Sequence, residues 1–192
     1  MHLAGKTYKP VRRNALGPDG WAQLLDRSRA RADEVHPGLA AELDSALNTI
    51  LLAWPQDLPI GHIHADLFPD NVFFLEGKVS GLIDFYFAGT DTLAYDVAVC
   101  LNAWCFEPDI SLNITKSRRL LDGYHKVRPL SSRELRALPI LCQGSALRFA
   151  LTRLFDWLHT PDGALVTRKN PLEYVRRLRF HFIASDEHAY GL

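Results

Sequence analysis

Residues 64–71 read His-Ala-Asp-Leu-Phe-Pro-Asp-Asn, and a second apolar run closes on Ile83-Asp84-Phe85. Asp66 and Asn71 stand at the two ends of a short loop, spaced D-x-x-x-x-N, which Pro69 stiffens by fixing a backbone torsion. Between Asn71 and Asp84 lie VFFL (72–75) and VSGLID (79–84), two β-rich runs separated by Glu76-Gly77-Lys78. That separation signals a hairpin. A hairpin returns the chain to its start, so the pattern brings Asp84 beside Asn71. A carboxylate and an amide oxygen are hard ligands that suit Mg²⁺, which keeps several waters and draws its other ligands from phosphate. A neighbouring carboxylate outside the metal shell, Asp66, can accept a hydroxyl proton. Base, metal-binding Asn and metal-binding Asp are the parts that phosphoryl transfer uses.

Outside this stretch the chain reads mainly as helix. Trp21, Leu24 and Leu25 give helical spacing within 19–35, and Pro37 ends it. Residues 38–54 place Leu39, Leu43, Leu47, Ile50 and Leu51 on one face, and Pro55 and Pro59 stop that helix. IGHIHAD (60–66) is a further β-rich run, and FYFAGTD (85–91) reads as a loop. Helical patterns follow over 92–104, 112–127, 131–159 and 171–186, with Pro139 expected to kink or break the third. No repeat, low-complexity tract or inter-domain linker is visible, so residues 1–192 read as one unit of the α+β class, mostly helical. The opening Met1-His2-Leu3-Ala4-Gly5 looks like the last turn of a helix whose earlier turns lie upstream.

HADLFPDN also matches the protein-kinase catalytic-loop pattern H-x-D-x-x-x-x-N, with Ile83-Asp84-Phe85 where the metal-binding aspartate of that fold would stand. The chain resembles the aminoglycoside phosphotransferase/choline kinase superfamily of small-molecule kinases. Within it, HADLFPDNVFF, GLIDFYFAGTDTLAYDVAV, NAWCFE and RFALTRLFDW resemble the homoserine kinase branch. The similarity is strongest over 60–107 and weaker elsewhere. Ala65 stands where a protein kinase has the arginine that pairs with a phosphorylated activation loop, and only 11 residues separate Asp84 from Asp96. Both features argue against a protein kinase.

The resemblance implies a protein-kinase-like C-terminal lobe in which a small hairpin carries the catalytic and metal loops. It implies Asp66 as catalytic base, Asn71 and Asp84 as Mg²⁺ ligands, and His64 as a loop-anchoring residue. Asp96 would be the buried carboxylate that holds the catalytic-loop backbone. The implied reaction is ATP–Mg²⁺-dependent phosphorylation of a small alcohol, L-homoserine in threonine biosynthesis, with an aminoglycoside, choline or a sugar as alternatives. An amino-acid acceptor needs a partner for its carboxylate and one for its ammonium. Arg153, Asp156 and Trp157 share a face of the 131–159 helix, and Glu107 is a further carboxylate nearby. These four are the substrate-binding candidates, against the plainer reading of Arg153–Asp156 as a surface ion pair. His62 reads as a packed strand residue, Asp91 as a helix N-cap, and Phe85, Tyr86 and Phe87 as core beneath the metal site.

The small lobe of such a kinase would supply a glycine-rich phosphate loop, a strand lysine and its glutamate partner. The 192 residues contain no G-x-G-x-x-G and no V-A-I-K-like strand. The expectation is therefore a catalytic lobe with poor ATP affinity of its own and an exposed apolar face. A small lobe, or self-association, would cover that face. A truncated lobe, inactive alone, is the alternative of a different class.

Composition sets the outer bounds. The chain is 47% hydrophobic and 23% charged, and its 22 basic residues balance its 22 acidic ones. That leaves no electrostatic footprint for nucleic acid and no polybasic membrane patch. Cys100, Cys105 and Cys142 are odd in number and lack C-x-x-C spacing, which points to reduced, partly buried thiols in a cytoplasmic protein. No signal peptide or membrane-length apolar run is visible.

Overall fold

A computed structural model describes residues 1–161, 163, 165, 167–184 and 186–191. Among the described residues the chain forms six helices, α1 (Pro18–Arg29), α2 (Leu39–Ala53), α3 (Leu93–Trp104), α4 (Ile114–Val127), α5 (Ser132–His159) and α6 (Leu172–Ile183), and four short strands. The strands β1 (Ile60–Ile63), β2 (Val72–Leu75), β3 (Lys78–Leu82) and β4 (Gly89–Thr92) form two separate antiparallel pairs, β1–β4 and β2–β3.

Helix α5 is the hub. Its buried residues point all round, from Leu138 and Leu141 to Phe149, Leu151 and Leu154, because α1, α2, α3 and α6 each pack against it. A capping box starts it: Ser131 Oγ accepts from the Glu134 amide, and Glu134 Oε2 accepts from the Ser131 amide. Pro139 does not break α5, which runs as one helix from Ser132 to His159. As the eighth residue of the helix, it forfeits one interior backbone donor. Pro139 is itself buried, and packing from several neighbours outweighs that local cost.

Residues that read as one helix over 19–35 form α1 and then a separate 3₁₀ turn, Ala32–Glu34. Residues 89–91, which read as loop, and Thr92, which read as the start of a helix, form β4 and pair with β1 in the register Ile60↔Thr92 and Ile63↔Gly89. The hairpin β2–β3 turns at Glu76 and Gly77, both at positive φ (49° and 72°), the left-handed pair that a two-residue hairpin needs. It closes with Val72 opposite Leu82, and Ile83 N donates to Asn71 O at 3.1 Å. Among the described residues no helix is long and apolar enough to cross a membrane. The three cysteines are free thiols.

Candidate active site

The loop after β1 is held from the helical side. Asp96, buried in the first turn of α3, accepts from two consecutive loop amides: His64 N at 2.8 Å on Oδ2 and Ala65 N at 2.7 Å on Oδ1. His2 Nε2 lies 3.0 Å from the same Oδ2, and its Nδ1 meets the Tyr124 hydroxyl at 2.7 Å. The indole of Trp104, at the end of α3, donates to Leu67 O at 2.7 Å. These bonds hold Ala65 at φ +63°, a left-handed conformation that costs a non-glycine residue on the order of 1–3 kcal/mol unless its surroundings impose it. Asp84 is left-handed too, at φ +60°. The two loops are joined by His64, whose Nε2 lies 2.9 Å from Ile83 O, the carbonyl just before Asp84.

Asp66, Asn71 and Asp84 line one pocket of about 260 Å³ together with Phe68, Asp70, Phe87, Arg148, Phe149, Thr152, Arg153, Asp156 and Lys169. Asn71 Nδ2 donates to Asp66 O at 2.8 Å and reaches Asp66 Oδ2 at 3.3 Å. That orientation turns Oδ1 the other way, and among the described residues no hydrogen bond engages it. Asn71 Oδ1 and the Asp84 carboxylate, from the two ends of the hairpin, therefore line one pocket. No group of three His, Cys, Asp or Glu side chains among the described residues could cage a metal. So lean a donor set fits Mg²⁺, which keeps water and phosphate as its other ligands, better than a structural metal.

Burial pushes the Asp66 carboxyl above its usual range; Arg148 pulls it back and the charge of Asp84 pushes it up again. Arg148 Nη1 donates to Asp66 Oδ1 at 3.2 Å, and burial lowers the affinity of this guanidinium for its own proton. Asp156 is likewise raised by burial.

The substrate-binding candidates divide. Arg153 and Asp156 line the pocket, but Arg153 pairs with Glu173 of α6 at 2.8 Å and stacks on Tyr174, so it is not the partner of Asp156. Trp157 lies elsewhere. One further step round α5 carries it to a second cleft with Arg31, Val35, Leu158 and Thr160. Glu107 is also outside the pocket, in the loop after α3, where Lys116 and Asn113 hold its carboxyl below the usual range. Asp91 does not cap α3: Thr92 is the N-cap, and Asp91 instead accepts from Asn14 Nδ2 at 2.8 Å and from Thr92 N at 2.7 Å. Of the aromatic trio only Phe87 packs on the core; Phe85 and Tyr86 are 46% and 71% exposed. His62 is packed against Tyr8 and bonds its carbonyl. Arg148 and Lys169 are the pocket cations that the sequence reading did not select. Arg148 opens the RFALTRLFDW stretch, but its part of α5 is buried from several sides and shows no single polar face; Lys169 lies in the connection to α6.

Residues 1–130 match the profile of the phosphotransferase enzyme family. The chain belongs to that family. Within it, the chain is similar to a homoserine kinase of Granulibacter bethesdensis and to one of Acidiphilium cryptum, each 65% identical over 192 residues. Each alignment takes in 100% of this chain and 60% of the relative, so this family member spans about 60% of the length of the curated relatives it matches. Its fold resembles that of a Plasmodium vivax ethanolamine kinase, with a TM-score of 0.62 and 18% identity over 90% of this chain and 50% of the other. At that identity the likeness concerns the fold alone.

Proposed function

We propose that this chain is the metal- and acceptor-binding lobe of a cytoplasmic, ATP-dependent kinase that phosphorylates the hydroxyl of L-homoserine on the way to threonine. One observation carries the reading. Asp66, Asn71 and Asp84 share a small pocket with both acidic and basic side chains, among them Asp156, Arg153 and Lys169. A polar amino acid with its two opposite charges suits such a lining. Asp66 is the base, its carboxylate facing the acceptor hydroxyl and taking its proton as the oxygen attacks the terminal phosphoryl group. Asn71 and Asp84 would hold Mg²⁺, which when bound would supply charge neutralisation on the phosphates. Asp96 and His64 keep base and metal ligands in register through the backbone bonds they make. Asp156 receives the acceptor ammonium, and the free donors of Arg153, with Lys169, face its carboxylate. The support for homoserine over other alcohols is the relatives' printed name, together with pocket cations that can meet an acceptor carboxylate.

The test is ADP release by the full-length gene product with Mg–ATP and a panel of L-homoserine, choline and an aminoglycoside. Turnover is expected with homoserine and is expected to fall by about 10²–10⁴-fold in Asp66→Asn. Turnover confined to choline or the aminoglycoside would overturn the acceptor assignment, and an active Asp66→Asn would overturn the mechanism. The 192 residues alone, lacking a phosphate loop, are expected to bind ATP poorly in calorimetry.

A further inference from the structure

We propose that Arg148 is the positioning residue of this site: it clamps the Asp66 carboxylate and the loop after Asp84 into one arrangement, and acts on the reaction through Asp66. The inference rests on the reading of Asp66 as the base. Arg148 comes from the middle of α5, and its side chain is only 4% exposed. Its Nη1 donates to Asp66 Oδ1 at 3.2 Å. Its guanidinium carbon lies 3.8 Å from the ring centre of Phe149 and 5.1 Å from that of Phe87. Phe87 belongs to the turn that follows Asp84. One buried planar cation therefore touches both loops, Asp66 on one and Phe87 on the other, from the most heavily packed helix of the fold.

Two observations distinguish this from a structural ion pair. Burying a guanidinium is costly, and a pair kept for stability repays that best with a two-pronged contact. Arg148 offers Asp66 a single long one. The other Asp66 oxygen takes an equally long contact from Asn71 Nδ2. The carboxylate is thus steered from both sides while both oxygens keep capacity to accept a further hydrogen bond. Arg153, further along the same helix, shows the contrast: it is engaged by Glu173 and does not reach Asp66.

Displacing a catalytic group by about 1 Å can cost about 10²-fold in rate. Steady-state kinetics of Arg148→Met and Arg148→Lys in the full-length gene product test the proposal, with L-homoserine and Mg–ATP. For Arg148→Met, kcat is expected to fall by about that factor while KM for homoserine holds; Arg148→Lys, which keeps the charge, recovers part of the loss. In an Asp66→Asn background, Arg148→Met is expected to add little, because residues that act as a unit are not additive. A raised KM with kcat retained would overturn the proposal and make Arg148 an acceptor ligand. A full multiplicative loss in the Asp66→Asn background would overturn it as well. If Arg148→Met fails to give a cooperative melt, Phe87→Leu carries the test: it loosens one stacking face and should lower kcat, less steeply, at constant KM. Normal kinetics in both Arg148→Lys and Phe87→Leu would then count against the clamp. Inactive Asp66→Asn beside a fully active Arg148→Met sinks this inference alone; an active Asp66→Asn sinks the proposed function with it.

Discussion

The helices and the β2–β3 hairpin are built on opposite terms. The helices supply most of the buried core, from Trp21 and Leu25 through Leu43, Leu101 and Leu147 to Val175. The hairpin buries none of its residues fully, and Phe73, Phe74, Leu75 and Val79 are all exposed. Yet the candidate metal ligands Asn71 and Asp84 flank the hairpin. The difference teaches how a site can be rigid on a weak element. The hairpin only has to return the chain, and the helices do the holding through Asp96 on the His64 and Ala65 amides, Trp104 on the Leu67 carbonyl and Arg148 on Asp66.

The sharpest way to break this contrast is at the site itself. Asp66→Asn is expected to lower turnover by about 10²–10⁴-fold, the usual range for losing a general base. Next in size is the anchor. Asp96→Ala strands the His64 and Ala65 amides in the interior, and each abandoned donor costs about 1–3 kcal/mol. Urea denaturation should show that loss, with turnover falling alongside it. Gly144→Ala tests the hub: a Cβ there would sit 2.3 Å from Trp54 Cζ3 and 2.7 Å from Trp21 Cη2. Overpacking of that kind costs about 1–3 kcal/mol and should appear in the same melts.

A fourth prediction concerns pH and His181, buried at the end of α6 between Tyr190 and Asn102. Asn102 Nδ2 donates to Cys142 O, so its Oδ1 accepts from His181 Nε2, while Nδ1 accepts from the Tyr190 hydroxyl. The ring is therefore neutral. Burial first, and the charge of Arg177 second, push its pKa down to about 3. The unfolded chain takes up this proton below its ordinary value of 6.5 and the folded one does not. Stability from this group is present above that value and falls by about 1.4 kcal/mol per pH unit between there and about 3. Chemical denaturation from pH 7 to 4 should show this slope, and His181→Gln should flatten it. The smallest effect belongs to the hairpin. Leu75→Thr, on its exposed face, should shift stability by no more than about 0.5 kcal/mol.

How legible the molecule was in its sequence follows the same division. The hairpin and the Asp66–Asn71 loop rest on local chemistry, a Glu-Gly turn and a proline-stiffened loop, and both stand where the spacing puts them. Strand β4 was invisible because Gly89-Thr90-Asp91-Thr92 has no apolar alternation; distant partners, β1 and the Arg12 carbonyl, set its pairing. Arg148 was passed over because a helix packed on every side presents no single face to read. Trp157 shared a calculated face with Arg153 and Asp156, but a pocket only a few side chains wide does not span that face. Phe85 and Tyr86 looked like core by composition alone, and their exposure depends on where the loop after Asp84 leaves the helices.

The Asp96 carboxylate also sorts the chain by timescale. The amides of His64 and Ala65 point into a buried acceptor on α3, so they exchange with solvent deuterium only when α3 itself lets go. Those of β2 and β3 need only the short hairpin to open. The catalytic loop, a loop by shape, thus belongs by its opening free energy to the helical interior, while the regular strands beside it open more readily.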